Sequence, residues 1–193
     1  MPDVAIVPAA SPRFEDAQHA FSGGGDGLGC QCQWWTLTRS EFDASTPEER
    51  TELLRHEVNS GTPPGLIAYV DGEPAAWVRV GPRTRQPRLS RTRNFAATTE
   101  PWDDPAVWAV TCFVVRKEHR GQGLNGRLLE AAVEFAREQG ARVLEAYPID
   151  AAHSSRSAND LYYGILSVFE RAGFRETARP RPDRTIVTLD LTA

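Results

Sequence analysis

The residues best suited to chemistry sit in one short segment, Arg120-Gly121-Gln122-Gly123-Leu124-Asn125-Gly126. Glycines between an apolar run and an amphipathic helix let successive backbone N–H groups converge on one point. The helix end adds partial positive charge, so the natural guest is an anion, phosphate above all. A P-loop needs Gly, four residues, then Gly-Lys-Ser/Thr. Gly121 and Gly126 have that spacing, but Arg127-Leu128 follows, so both the lysine and the metal-binding hydroxyl are missing. A dinucleotide fingerprint, G-x-G-x-x-G, is met by Gly121, Gly123 and Gly126, with Glu145 about where a ribose-binding acid falls. In that motif the first glycine leaves the strand directly, whereas Arg116 to Arg120 intervene here. A Gly-rich turn with no ligand is the plain alternative.

Other groups carry weaker signals. Cys30-Gln31-Cys32 has metal-like spacing without further ligands at matching distance. Trp34 and Trp35 either wall a pocket or fill the core. Arg83, Arg85, Arg88, Arg91 and Arg93 crowd one stretch, which suits an anionic ligand or a solvated loop. Glu145 lies inside an apolar strand, where a carboxylate is costly without a partner; it is either a catalytic group or a rim position facing water. Cys112 is either a nucleophile or a small buried residue.

These residues need elements to position them. Val4 to Val7 reads as a strand. Ser11-Pro12 starts a helix toward Phe21, with Ser as N-cap. Thr46-Pro47-Glu48-Glu49 is a capping box opening a second helix to about Asn59. Gly65–Val70 and Ala75–Val80 flank Asp71-Gly72, a hairpin signal. Val107 to Val115 is a nearly continuous apolar run, the mark of a strand buried on both faces. Leu124 to Gln139 has helical spacing and stops at Gly140. Arg142–Ile149 is a strand, Ala158–Ala172 a helix, and Phe174–Arg179 and Thr185–Leu191 the last strands. The order is α+β around one βαβ unit.

Composition bounds the rest. With 193 residues, 40% hydrophobic and 25% charged, the chain suits one domain, 1–193. A net charge of -4 gives no pull toward nucleic acid or an anionic membrane. There is no signal peptide and no span-length apolar stretch, so the expectation is a cytoplasmic protein. Of the 22 basic residues only Lys117 is lysine; the rest are arginine. Codon bias accounts for that ratio. The clustering of arginines near the glycine loop and at 83–93 suggests a locally positive cleft sized for one phosphorylated cofactor.

The Arg120-Gly121-Gln122-Gly123-Leu124-Asn125 segment, five residues after Val115, resembles the acyl-CoA pyrophosphate loop of the GNAT superfamily of N-acyltransferases. Phe169-Glu170-Arg171-Ala172-Gly173-Phe174 resembles that family's late helix ending in Gly-Phe, and the element order is the family's. The resemblance implies a mixed, mostly antiparallel sheet with a central splayed parallel strand pair and helices on both faces. It implies acetyl-CoA, or another acyl-CoA, as co-substrate, without a metal. Phe113, Val114 and Val115 would pair with the pantetheine arm, and Arg120, Gly121, Gln122, Gly123, Leu124, Asn125 and Gly126 would hold the pyrophosphate, with Arg116 or Lys117 nearby. The acceptor would be a small-molecule or peptide amine, met by a monomer or homodimer. Many members supply a Tyr acid four residues before Gly-Phe; that position is Phe169 here, so the acid is Tyr163, Tyr162 or water, since a thiolate is a good leaving group. Glu145, Asp150 and His153 are candidate bases, and Cys112 a candidate nucleophile. A non-catalytic acyl-CoA sensor is the alternative.

Overall fold

The computed structural model describes residues 2–153 and 162–192. Among them lies one seven-stranded sheet. Its strands are β1 (Val4–Pro8), β2 (Gly65–Val70), β3 (Glu73–Pro82), β4 (Val107–Val115), β5 (Val143–Ala146), β6 (Arg175–Arg181) and β7 (Arg184–Asp190), in the order β1-β2-β3-β4-β5-β7-β6. All neighbours are antiparallel except β4 and β5, which run parallel. The helices are α1 (Phe14–Phe21), α2 (Gly27–Cys30), α3 (Arg39–Ala44), α4 (Pro47–Asn59), α5 (Leu124–Glu138) and α6 (Leu166–Arg171).

Strand alternation divides the core between two faces. Leu66, Ala68, Ala76 and Val78 pack with Leu128, Leu129, Ala132 and Ala136 of α5 and with Phe169 of α6. Ile67 and Trp77 point the other way, against Phe14, Ala17 and Phe21 of α1 and Leu54 and Val58 of α4. Further along that second face, Ala109, Tyr147 and Ile186 are covered by Trp35, Leu89 and Phe95 from irregular segments. The expected fold, with helices on both faces of a mixed sheet, is therefore observed. Asp71 and Gly72 both have positive φ (50° and 87°), the geometry of a tight hairpin turn between β2 and β3.

Several boundaries differ from expectation. Ser11 does not cap α1: the Ser11-Pro12 peptide is cis, residues 11–13 form a turn, and the helix begins at Phe14. The Thr46 capping box forms as expected, with Thr46 N donating to Glu49 and Glu49 N donating to Thr46 Oγ1. A second capping box, Thr38 with Glu41, opens the unexpected α3. The Ala158–Ala172 helix is shortened: 158–161 lie outside the described residues, and α6 starts at Leu166, after Gly164 in a left-handed conformation (φ +81°).

Candidate active site

Strands β4 and β5 stay paired only from Val107↔Val143 to Val110↔Ala146. After Ala146 the chain turns away, and Ile149 instead bridges Ile165 and Arg184. β4 continues to Val115, held on its other side by β3. Its Cys112–Val115 stretch therefore presents backbone groups toward a gap with no strand partner among the described residues. A bulge marks where the strands part. Arg79 faces Cys112 and Val80 faces Val110, so Thr111 is the extra residue. The bulge resets the pleat, and Val110 and Phe113, three apart, both join the α5-side core. Thr111 Oγ1 donates to Gln86 Oε1 at 2.6 Å, pinning the bulge from the opposite face.

The gap opens into a cleft of about 700 Å³. At its outer end lies the glycine loop. Gly121 and Gly123 have φ of 77° and 75°, values that glycine adopts without steric cost. Gly123 is the N-cap of α5, with no side chain to satisfy the helix's first amides. The carbonyl of Gly123 accepts from Gly126 N and Arg127 N; among the described residues, the amides of Gly121 through Asn125 have no hydrogen-bond partner. A Cβ placed on Gly121 or Gly123 would meet open space. Free, convergent amides at a helix N-terminus are an anion cradle. Phe113, Val114, Val115, Arg120, Gly121, Gly123, Leu124 and Asn125 all line the cleft. Gln122 turns back to donate to Glu118 O, and Gly126 is engaged in the helix turn.

The inner end is built from the segment before β2 and from the chain just before α6. Cys30, Cys32, Trp34, Trp35, Phe42 and Arg50 face Cys112 and Tyr162 there. Burial pushes the Cys30 thiol up to about 11. The neighbouring Cys112 and then burial hold the Cys32 thiol well above its ordinary range. Both therefore favour the protonated thiol near neutral pH. Among the described residues no group of three or more His, Cys, Asp or Glu side chains is placed to hold a metal ion. Trp34 and Trp35 do both things considered from sequence: they line the cleft, and Trp35 packs against Phe95 and Tyr163.

Several candidate residues are not in the cleft. Glu145 is neither a free base nor a rim carboxylate. It is fully buried, paired with the equally buried Arg83 at 2.7 Å, and accepts hydrogen bonds from Thr98 Oγ1 and Tyr147 Oη. Its alternation with Ala109 and Tyr147 aims it beneath the segment after β3, where Arg83 also donates to Glu100 O at 2.9 Å and lies over Trp102. Burial and the adjacent Glu145 carboxylate raise the Tyr147 phenol well above its ordinary range. Tyr163 is likewise outside the cleft, stacked on Tyr162 at 4.2 Å, packed against Trp35 and covered by the Arg184 guanidinium. Tyr162 is the one of the pair that lines the cleft. Asp150 is engaged by Arg179 and His153.

The arginine-rich stretch is also reassigned. Arg83 serves Glu145, Arg88 is buried over Trp34 at 3.5 Å, and none of the five arginines lines the cleft. Arg116 is committed to the C-terminus of α1, donating to Ser22 Oγ at 2.8 Å, which leaves Arg120 as the cleft's arginine beside the loop. Sequence reasoning missed Arg50, Phe42 and the Gly24–Gly29 wall of the cleft. The Gly23-Gly24-Gly25 run was a signal for that wall, since a Cβ at Gly23 would overlap Arg116 at the exit of β4.

Comparison with known proteins agrees with this architecture. The chain belongs to the GNAT family of acetyltransferases: the model of that family matches residues 32–164. Members use acetyl-CoA and act on amine acceptors. No curated protein matches the sequence significantly. Among solved structures, an N-acetyltransferase from Staphylococcus aureus Mu50 superposes with a TM-score of 0.58 at 17% identity, covering 98% of this chain and 99% of its own. The yncA protein of Salmonella typhimurium, solved with its cofactor acetyl-CoA, gives 0.57 at 16% identity, covering 97% and 94%. The ribosomal-protein-S18-alanine N-acetyltransferase of Escherichia coli gives 0.52 at 13%, covering 98% and 94%. At these identities the likeness concerns the fold. Among the described residues no helix is long and apolar enough to cross a membrane.

Proposed function

We propose that residues 1–193 form one N-acyltransferase domain that moves an acetyl or small acyl group from acyl-CoA to a primary amine by direct attack in a ternary complex. One observation carries this reading: the amides of Gly121–Asn125 and the edge of β4, both without a partner among the described residues, border the same cleft. The amides and Arg120 suit a pyrophosphate, and the strand edge suits an amide-bearing arm laid along it.

The thioester supplies an activated carbonyl, and the chain's task is to place it beside an amine. The hydrogen-bonded pairing of β4 with β3 uses the amides of Cys112 and Val114, so the amide of Phe113 points to the gap and would donate to the developing oxyanion. Tyr162 faces the same space. Burial and the adjacent Tyr163 raise its phenol, which keeps it protonated but makes it a weaker acid, so its proton would pass to the departing thiolate only in concert with C–S cleavage and be recovered at once from solvent. The ammonium proton of the incoming amine leaves through the open cleft to water. Cys112 has the Cys32 thiol beside it, and among the described residues no histidine or carboxylate is hydrogen-bonded to it, so it lacks the base that nucleophilic catalysis needs.

Phe169 motivates a second reading, an acyl-CoA sensor without turnover. That residue packs edge-on against Phe113 and Phe174 in the core, so it offers nothing to the cleft. Two measurements decide. Calorimetry should show acetyl-CoA binding to the wild type and its loss in Gly123→Glu, which places a carboxylate where the amides converge; unchanged binding in the variant refutes the loop assignment. Thiol release across an amine panel should then show turnover; binding without release favours the sensor.

A further inference from the structure

The inner end of the cleft holds a buried guanidinium that the chain leaves partly unsatisfied. Arg50, on the first turns of α4, is 8% exposed and lines the cleft. Its Nη1 donates to Phe42 O at 3.0 Å and Ser45 Oγ at 3.2 Å. Among the described residues its Nε has no partner, and no hydrogen bond engages its Nη2. Three of the five donors of the fork are therefore unused. Nor does a carboxylate of the described residues lie within ion-pair distance of it. Of the neighbouring buried arginines, Arg79 is paired with Glu57 and Arg83 with Glu145; Arg88, also without an ion pair among the described residues, lies flat on the Trp34 ring outside the cleft lining, so Arg50 is the buried one that faces the cleft. A buried charge without a counter-ion is costly, and stacking on the Phe42 ring at 4.3 Å offsets only part of that cost. The surrounding wall is apolar and aromatic, with Trp34, Phe42 and Tyr162 beside the thiol of Cys30.

We infer that Arg50 is an acceptor-binding residue, and that the acceptor is an amine which also carries a carboxylate and an apolar or aromatic body. The carboxylate would meet the free side of the fork, the body would fill the aromatic wall, and the amine would be left to face the thioester. This rests on the acyl-transfer reading above and narrows its acceptor class. Arg50 touches substrate rather than the reacting atoms, so its loss acts on binding.

Binding separates the parts. The CoA-loaded protein is titrated with 3-phenylpropionate, 2-phenylethylamine and L-phenylalanine, which carry the carboxylate, the amine and both. The two carboxylates should bind about 10- to 100-fold more tightly than the amine alone, the range of a charge-assisted pair. Arg50→Gln should abolish that preference, and Arg50→Lys should keep part of it. In turnover with acetyl-CoA, Arg50→Gln should raise KM for L-phenylalanine about tenfold or more relative to its effect on KM for 2-phenylethylamine. Equal binding of the three probes, binding of none, or a carboxylate preference that survives Arg50→Gln overturns the inference. The wild-type comparison decides even if a variant fails to fold. Failure of CoA itself to bind would instead count against the acyl-transfer reading.

Discussion

At the scale of single residues, the two adjacent tyrosines show how position decides role. Tyr162 and Tyr163 are stacked, yet one faces the cleft and the other is locked between Trp35 and Arg184. The left-handed Gly164 that follows them ends any helical periodicity, so no spacing rule could separate the pair in advance. The acid role of Tyr162 leads to a sharp expectation. Tyr162→Phe should lower kcat about 100-fold, as for loss of a general acid, with KM for acetyl-CoA held. Tyr163→Phe should leave kcat within about twofold. Steady-state kinetics on both variants checks this, and equal effects would assign the proton donor elsewhere.

At the scale of elements, the Arg83–Glu145 pair joins the segment after β3 to β5, from the side of the sheet opposite α5. Every oxygen of that carboxylate is used, by Arg83, Thr98 and Tyr147. Replacing Glu145 by Gln leaves a buried guanidinium without its counter-ion, a change worth about 3–5 kcal/mol. The expected outcome is a large fall in Tm, partly recovered in the double variant Arg83→Met/Glu145→Gln, because the two groups are one unit. Acetyl-CoA affinity of the folded fraction should be retained. A stable Glu145→Gln protein that had lost turnover alone would restore Glu145 as a base. A comparable division of labour applies to the bulge at Thr111: the helix-facing residues around it hold the sheet to α5, and the extra residue turns Cys112 toward the cleft.

At the scale of the whole molecule, the wall of the cleft is docked to the sheet through Arg79. That side chain is buried, paired with Glu57 of α4, and donates to Cys32 O at 3.3 Å, so helix, strand and cysteine segment meet at one charge. Burial raises the Glu57 carboxyl, but Arg79 and the Gln33 amide outweigh it, and the net shift is downward. A carboxyl lowered in the folded state stabilises it above the unfolded value, about 4.3, and that contribution is lost as pH falls through the lower folded value. Wild-type stability should therefore fall more steeply below about pH 4.3 than that of Glu57→Gln. Urea unfolding across pH measures the two slopes; parallel curves would remove Glu57 from the acid response. The net charge of -4 does conceal cationic groups in the cleft, but they are Arg50 and Arg120 rather than the 83–93 cluster.

Local and periodic features were legible in the chain itself. The Thr46 box, the Asp71-Gly72 turn, the α5 stripe and the glycine loop each depend on neighbours within a few residues, so the sequence alone determined them and, through them, the order of elements along the chain and the acyl-CoA resemblance. What stayed hidden depends on partners far away in sequence. Glu145 meets Arg83 across 62 positions, and Cys32 meets Arg79 across 47. The bulge that parts β4 from β5 exists only as a register between strands. Arg50 reads as an ordinary helical arginine until α3, α4 and the cysteine segment close around it. Burial and counter-ion supply are properties of the packed molecule. They decided which carboxylate became structural, which tyrosine faced the cleft, and which arginine was left to bind something else.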